Sequence, residues 1–369
     1  MIKPRLKKFF KISLTIILFC IIGIYAFMKQ DKFVSPVVDI TRTYKAPFKN
    51  GIFENSPPTE LMTGEKDSNK FKALIDFVFK TIKDAKPSSS LPSIKTDLLK
   101  LNQEDNIIVW MGHSSFFMQL DGKTYLIDPV FSDNALPIPY TNLAFAGSNI
   151  YKVEDLPKIN VLLISHDHWD HLDEPTLKKL KPKIANVVMP VGVDSYLKQW
   201  GYAQDIIITG DWNDEFILDD VSIHVLQAQH FSGRLLKGNR TLWCSFAIVT
   251  PKHKIYLSGD SSYGEFFKDL GKRFGSFDVA ILENGQYDKD WSKIHMMPEK
   301  TAQAGVDLNA QSIIPCHNSK FKLSKHSWNA PLENLSKASE NKSYTLKTPM
   351  IGQPVDIDNK AEFFGKWEK

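Results

Sequence analysis

The chain is poor in cysteine: Cys20, Cys244 and Cys316 are the only three in 369 residues, and they form no spaced pair. That pattern excludes a disulfide framework and a thiolate zinc site. Cys244 and Cys316 read as small buried residues, although Cys316 stands next to His317. A Gly-rich phosphate loop and an internal repeat are missing as well. A basic body is also missing. The formal net charge is +4, but the first 50 residues hold ten Lys/Arg and two Asp/Glu, which leaves 36 basic and 40 acidic residues beyond them. A mildly acidic body lacks the cationic footprint of a nucleic-acid enzyme, so no nucleic-acid partner is expected. With 43% hydrophobic and 24% charged residues, the length suffices for one large or two modest folded domains.

One long apolar run is present. Residues 12–28 are uncharged and almost wholly apolar, and with Phe9, Phe10 and Lys11 they match the length needed to cross a bilayer. Lys3, Arg5, Lys7, Lys8 and Lys11 precede the run, which predicts a cytoplasmic N-terminus and an extracytoplasmic body. Lys29, Lys32, Arg42 and Lys45 follow it and weaken that bias. A cleaved signal peptide and a secreted body form the competing reading, but no small-x-small cleavage site follows, and Phe19 before Cys20 is too bulky for a lipoprotein signal. The expected organisation is a membrane anchor over residues 1–30, a tether and amphipathic helical arm over 31–103, and a catalytic domain over 104–369. The arm's helix is expected from Ser68 to Lys86, where Phe71, Leu74, Ile75, Val78, Phe79 and Ile82 recur at helical spacing.

From about residue 104 short apolar runs alternate with turns. Ile107–Trp110, Phe116–Leu120 and Tyr125–Ile127 predict a meander turning at Asp121-Gly122, and Val161–Ile164 predicts a buried strand. Further strands are expected at Val187–Met189, Ile206–Ile208, Glu215–Leu218, Ser222–Leu226, Ser245–Val249, Lys254–Leu257, Val279–Leu282 and Ser312–Ile314. Helical patterns at Glu174–Leu180, Val193–Gln199, Phe266–Phe274 and Glu299–Leu308 complete a layered α/β domain of two sheets and outer helices.

The densest chemistry is His166-Asp167-His168-Trp169-Asp170-His171, directly after Val161–Ile164. Imidazole and carboxylate are the ligands that zinc and related divalent metals prefer, and so many on one turn could not all reach a single ion. Three more apolar runs end in ligand-type residues: Val221–Leu226 leads to His230, Lys254–Leu257 to Asp260, and Ser312–Ile314 to His317. Strand ends meeting at one sheet edge are where α/β proteins build sites. A surface loop that merely happens to hold histidine does not account for four such ends.

His166-x-His168-x-Asp170-His171 followed by His230, Asp260 and His317 resembles the binuclear metal set of the metallo-β-lactamase superfamily. Trp110–Ser114, Leu126–Ser132, Gln229–Arg234, Asn239–Trp243 and Ser258–Tyr263 further resemble its branch of N-acyl-phosphatidylethanolamine-hydrolysing phospholipases D. The resemblance covers about residues 105–335 and implies a four-layer αββα sandwich. It implies two zinc ions, one on His166, His168 and His230, the other on Asp170, His171 and His317, with Asp260 bridging. It also implies a hydrolase that attacks a phosphodiester with a metal-bridging hydroxide, with Asp170, Asp260 and His295 as catalytic residues. His113 and Asp128 are candidates for orienting ligands, and Asn284 and Tyr287 for lining the pocket. The chain departs from the family in having Asn318-Ser319 after His317 where a Trp-Gly pair is common, and in its loop Glu283–Tyr287.

The leading expectation is therefore a membrane-anchored zinc phosphodiesterase of phospholipase D type, acting on a lipid or related phosphodiester. A lactone or carboxylic ester hydrolase of the same superfamily is the alternative enzyme. A non-catalytic metal-binding module is the third reading, and it predicts missing ligands where none is missing.

Overall fold

The computed structural model describes residues 4–61, 82–234, 238–359, 362 and 364–368. The helix expected from Ser68 to Lys86 falls, up to residue 81, outside them. Helix α1 (Pro4–Met28) is followed by a small hairpin, β1 (Phe48–Lys49) and β2 (Ile52–Phe53). Next come β3 (Ile107–Trp110), β4 (Phe116–Leu120), β5 (Lys123–Ile127), β6 (Ile159–Leu163), α2 (Glu174–Leu180), β7 (Ile184–Pro190), α3 (Asp194–Gln199) and β8 (Ile207–Gly210). The second half holds β9 (Asp214–Leu218), β10 (Val221–Leu226), β11 (Ser245–Val249), β12 (Lys254–Leu257), α4 (Phe266–Phe274), β13 (Phe277–Glu283), α5 (Pro298–Asp307) and β14 (Ala310–Cys316). It closes with α6 (Ala330–Ala338), β15 (Thr345–Leu346) and β16 (Pro354–Asp356).

Two seven-stranded sheets result, ordered β16-β3-β4-β5-β6-β7-β8 and β15-β14-β13-β12-β11-β10-β9. Each is antiparallel at one end and parallel at the other: β16 to β5 and β9 to β12 pair antiparallel, while β5 to β8 and β12 to β15 pair parallel. Helices make the crossovers at five of the six parallel pairings, and a long loop makes the one between β5 and β6.

Alternation along the strands sorts side chains into layers. Val161 and Leu163 of β6 face the core between the sheets, together with Phe246 and Ile248 of β11 and Ile255 and Leu257 of β12. Leu162 turns the other way onto Leu177 and Leu180 of α2 and Leu197 of α3. Ala247, Tyr256 and Ala280 turn outward onto Phe267 and Phe274 of α4 and Ala302 of α5. Helix, sheet, sheet, helix is the four-layer αββα sandwich.

Strands β3, β5, β6, β10, β12, β13 and β14 all end at the same edge, because each antiparallel pairing reverses direction and the intervening strands absorb the reversal. That edge carries the site. Residues 31–61 lie on the body: Val34 is buried in the outer core of the first sheet, Ala46 and Phe53 in the core between the sheets. Helix α1 is different, since its stretch Lys8–Met28 (21 residues, mean hydropathy 2.2) is 0% buried. It is long and apolar enough to cross a membrane, as a signal sequence near an N-terminus also is. Replacing Phe246, fully buried between the sheets, by Ala is expected to cost about 3–5 kcal/mol, read as a lower urea midpoint at unchanged slope for the detergent-solubilised chain.

Candidate metal centre

Three histidines at the sheet edge have their ring protons fixed by what lies behind them. Asp128, one residue after β5, accepts from Ser165 Oγ at 2.5 Å with Oδ2 and from the Ser165 amide at 2.8 Å with Oδ1. Its hydroxyl proton thus committed, Ser165 Oγ accepts from His166 Nδ1 at 2.9 Å. Asp128 Oδ2 also accepts from His171 Nδ1 at 2.8 Å. His230 Nδ1 lies 3.0 Å from the Ile294 carbonyl, which can only accept. With the protons on Nδ1, the Nε2 lone pairs of His166 and His230 point to the centre, the arrangement that outer partners impose on metal-ligating imidazoles. Asn55 braces His230 further, its Oδ1 accepting from the His230 amide at 3.0 Å and its Nδ2 donating to the His230 carbonyl at 2.8 Å.

Two groups of potential ligand atoms form around this edge. His166 Nε2 and His230 Nε2 stand 2.9 and 3.2 Å from His168 Nδ1, and 3.9 and 3.6 Å from Asp260 Oδ2. A proton could bridge only one of those nitrogen pairs, whereas a cation at the centre satisfies them all. A tetrahedral ion with ligands at about 2.0–2.1 Å has ligand-to-ligand edges of about 3.3 Å, and the spacings straddle that length. The second group comprises His113, Asp170, His171 and His317. Asp170 Oδ2 lies 2.8 Å from His113 Nε2 and 3.3 Å from His317 Nε2, and Asp260 Oδ2 lies 3.3 Å from His171 Nε2 and 3.1 Å from His317 Nε2. Asp260 Oδ2 is thus within reach of both groups. His171 Nε2 and Asp260 Oδ1 are buried without a hydrogen-bond partner among the described residues. Orphaned lone pairs of this kind, drawn from imidazole and carboxylate, fit a divalent metal.

The electrostatics agree. Burial disfavours the charged form of both carboxylates, but the imidazoles outweigh it: His171 and His317 hold Asp260, and His171 and His113 hold Asp170, well below the usual carboxylate range. Burial pushes His166, His168 and His230 down, while His113 falls to about 3, chiefly through burial and the neighbouring His317. His171 and His317 go the other way. Burial lowers both, yet Asp260, Asp170 and Asp128 raise His171 well above the usual imidazole range, and Asp260, Asp170 and Glu283 raise His317 to about 10. Two buried carboxylates thus draw positive charge, and protons on His171 and His317 supply it when no metal does.

The backbone is bent to make this edge. His113 (φ 54°), Asp128 (φ 38°) and His317 (φ 64°) are left-handed, at about 1–2 kcal/mol each for side chains with a Cβ. The His113 and His317 loops hold each other, the His317 amide donating to the His113 carbonyl at 3.0 Å and the His113 amide to the Asn318 carbonyl at 3.2 Å. Gly285 crosses so closely that a Cβ there would lie 1.9 Å from the His317 carbonyl oxygen.

All seven ligand candidates from the sequence, His166, His168, Asp170, His171, His230, Asp260 and His317, are brought together. His295 joins them on a cavity of about 250 Å³ that has His168, Asp170, Asp260 and His317 at its base and Phe231, Trp291, Ile294 and Leu323 as apolar walls. The His295 ring stacks on His317 at 5.2 Å, and its Nδ1 meets Glu283 Oε1 at 2.5 Å. His113 and Asp128 both hold other site residues in place. Asn284 instead turns into the protein, donating to the Pro331 carbonyl, and Gln286 takes its place on the cavity wall. Tyr287 packs on His326, while His224 and His253 pair with Glu215 and Asp358 away from the site. Cys316 packs in the core between the sheets. Glu283, Asn55, Ser165 and Gln286 serve the site without having stood out as candidates in the sequence. Glu283 had a signal, a carboxylate closing the apolar run Val279–Leu282. Asn55 had none, because it lies 175 residues from the histidine it braces.

A family model described as the beta-lactamase superfamily domain matches residues 123–318. The chain belongs to that superfamily. Among superfamily relatives, the uncharacterized protein Rv0906 of Mycobacterium tuberculosis is 32% identical over 324 residues, 87% of each chain. The N-acyl-phosphatidylethanolamine-hydrolyzing phospholipase D 1 of Caenorhabditis elegans is 29% identical over 302 residues, 74% of this chain and 82% of that one. Of solved structures, the isothiocyanate hydrolase from Delia radicum gut bacteria shares the fold at TM-score 0.53 and 19% identity, covering 68% of this chain and 98% of that one. The metallo-β-lactamase fold is thereby established for this superfamily member, and the metal-ligand candidates lie on the edge its sheets share.

Metal entry must strip the extra protons from His171 and His317, so binding is expected to release protons at neutral pH and to tighten as pH rises; calorimetry of the metal-free protein in buffers of different ionisation enthalpy reads the count. Asp128→Asn is expected to weaken metal affinity about 10–100-fold, since the amide can turn a donor where two acceptor oxygens are needed; competition with a chelating dye measures it.

Proposed function

We propose that this metal-dependent hydrolase cleaves phosphodiesters, a phospholipid headgroup bond being the substrate class that fits it best, with two zinc ions as its metals. In this reading His166, His168 and His230 hold one ion, Asp170, His171 and His317 the other, and Asp260 both. The observation that carries it is the sharing of Asp260 Oδ2 between two ligand groups at the base of an apolar-walled cavity. Zinc bound there would supply Lewis acidity and bring the pKa of water from 15.7 to about 7. The kinship with a phospholipase D of C. elegans supports the phosphodiester over other esters.

The chain's own groups do the rest. His113 Nε2 at 2.8 Å keeps Asp170 turned to the centre. Glu283 fixes the proton of His295 on Nδ1, which leaves His295 Nε2 as the atom that accepts or delivers a proton at the leaving oxygen. Phe231, Trp291, Ile294 and Leu323 exclude water from the flank of the phosphoryl group, where preorganised charges act most strongly. Helix α1 serves as an uncleaved anchor in this reading, with the body outside the cytoplasmic membrane. The residues then divide into an anchor (1–30), an arm (31–103) and the hydrolase domain (104–369).

The deciding assay offers the zinc-loaded full chain a bis-aryl phosphodiester, N-acyl-phosphatidylethanolamine in mixed micelles, and a panel of lactones. Turnover of the phosphodiesters is expected, and turnover of lactones alone would overturn the reading. His295→Ala is expected to lower kcat about 10²–10⁴-fold at unchanged metal content. Asp260→Ala is expected to lose both metal and turnover, and a fully active two-metal Asp260→Ala protein would remove the bridging role.

A further inference from the structure

The end of helix α1 is fastened to the body rather than hinged from it. Lys29 and Gln30 close the helix by donating to the Tyr25 and Phe27 carbonyls, and the Phe33 amide turns back onto the Gln30 carbonyl. Asp31 pairs with Lys178 of α2 at 2.7 Å, and its carbonyl accepts from Trp200 Nε1 at 2.8 Å. The Phe33 ring packs edge-on against Phe27 at 5.1 Å and against Trp169, inside the histidine-rich loop, at 5.5 Å. Lys32 reaches across to the loop after β5, donating to the Pro137 carbonyl at 2.7 Å.

That loop has the wrong surface for water. Leu136, Ile138, Tyr140 and Leu143 are exposed by 40, 55, 89 and 42%. Four large apolar side chains within eight residues form a patch of the kind that soluble surfaces seldom leave uncovered. The loop holds them out by its own bonding: Asn134 bridges Leu143, the Ala144 amide donates to the Asp133 carbonyl at 2.8 Å, and Thr141 Oγ1 donates to the Ile138 carbonyl at 2.6 Å. Beneath it, Ala135 and Ala144 pack with Val130, Phe321 and Leu323, and Leu323 is also a wall of the metal-site cavity.

We infer that this loop, residues 136–143, is a membrane-docking element whose occupant is the phospholipid interface beside the anchor. The inference rests on reading α1 as a membrane anchor. Given that reading, the geometry is confining. A side chain four residues past the end of a spanning helix lies at the lipid headgroups, and so does the loop it is bonded to. Lys29 and Lys32, lying over the Tyr25 and Phe27 rings, have the place of basic residues at a membrane boundary. Tyr140 supplies an aromatic ring with a polar tip, the side chain favoured at that depth. The loop and the helix end would then set the height of the cavity over the lipid, with Leu323 on one side and Trp169 on the other.

The test places an environment-sensitive fluorophore on Cys in full-length Tyr140→Cys and, as an aqueous control, in Ile217→Cys on β9, both in a Cys20→Ser background. The protein is reconstituted in phosphatidylcholine–phosphatidylglycerol vesicles. At position 140 the emission is expected to shift to the blue and to be quenched by shallow spin-labelled phosphatidylcholine, with position 217 unchanged. Co-flotation with the vesicles but an aqueous signal at position 140 would overturn the docking loop alone. A blue-shifted signal that spin-labelled lipid fails to quench would mean protein covers the patch, and would overturn it too. Failure to co-float would overturn the anchor reading and this inference with it.

Discussion

The metal edge depends on where three ring protons sit. Asp128 takes that of His171 directly and that of His166 through Ser165, and the Ile294 carbonyl takes that of His230. Each bond does two things: it picks the nitrogen that faces the centre, and it stops the ring from turning. Lone pairs forced together at 2.9–3.2 Å repel unless something positive lies among them. The protein therefore stores, in neutral buried imidazoles, a demand for charge that a divalent ion meets. Asp170 and Asp260 add to it, since neither can be neutral beside so many rings without forfeiting its partners.

The sandwich exists to bring those partners to one line. Asp128 follows β5 and His166 follows β6, neighbouring strands of one sheet; Asp260, Glu283 and Cys316-His317 close β12, β13 and β14, neighbours in the other. Packing two such sheets face to face sets two rows of strand ends opposite each other. The first row supplies most of the ligand candidates and the second the carboxylate within reach of both groups, so the inter-sheet core fixes the distance across the site. Left-handed turns at His113, Asp128 and His317 then aim the side chains inward at a local cost that the well-packed strands beneath them absorb.

Much of this was legible in the chain. Near-continuous apolar runs such as Val161–Ile164 and Ser245–Val249 located strands because one face packs on the other sheet and the other on helices. The short strands β1, β2, β15 and β16 and helix α6 are not legible, because two or three residues carry no period and α6 has a mixed face. The ligand set stood out as chemistry concentrated after apolar runs. What supports the ligands was less visible. Glu283 looks like the end of a strand until the chain folds and brings His295 onto it, and Gln286 rather than Asn284 lines the cavity because Asn284 is drawn inward by its bond to the Pro331 carbonyl. Residues joined only by tertiary contact leave no spacing to read.

Asn55 has a consequence for how the gene can be divided. Its side chain closes both backbone bonds of His230 from a segment that also buries Ala46 and Phe53 between the sheets. The segment is an additional piece of the core between the two sheets, contributed from before the first long strand. Shuffling the hydrolase onto another leader, or trimming it at the onset of the strand pattern, would leave His230, a metal-ligand candidate, without the partners of its amide and carbonyl. Inheritance therefore has to keep this segment and the sandwich together, the stretch before β3 being as much a part of the architecture as the strands that carry the ligand candidates.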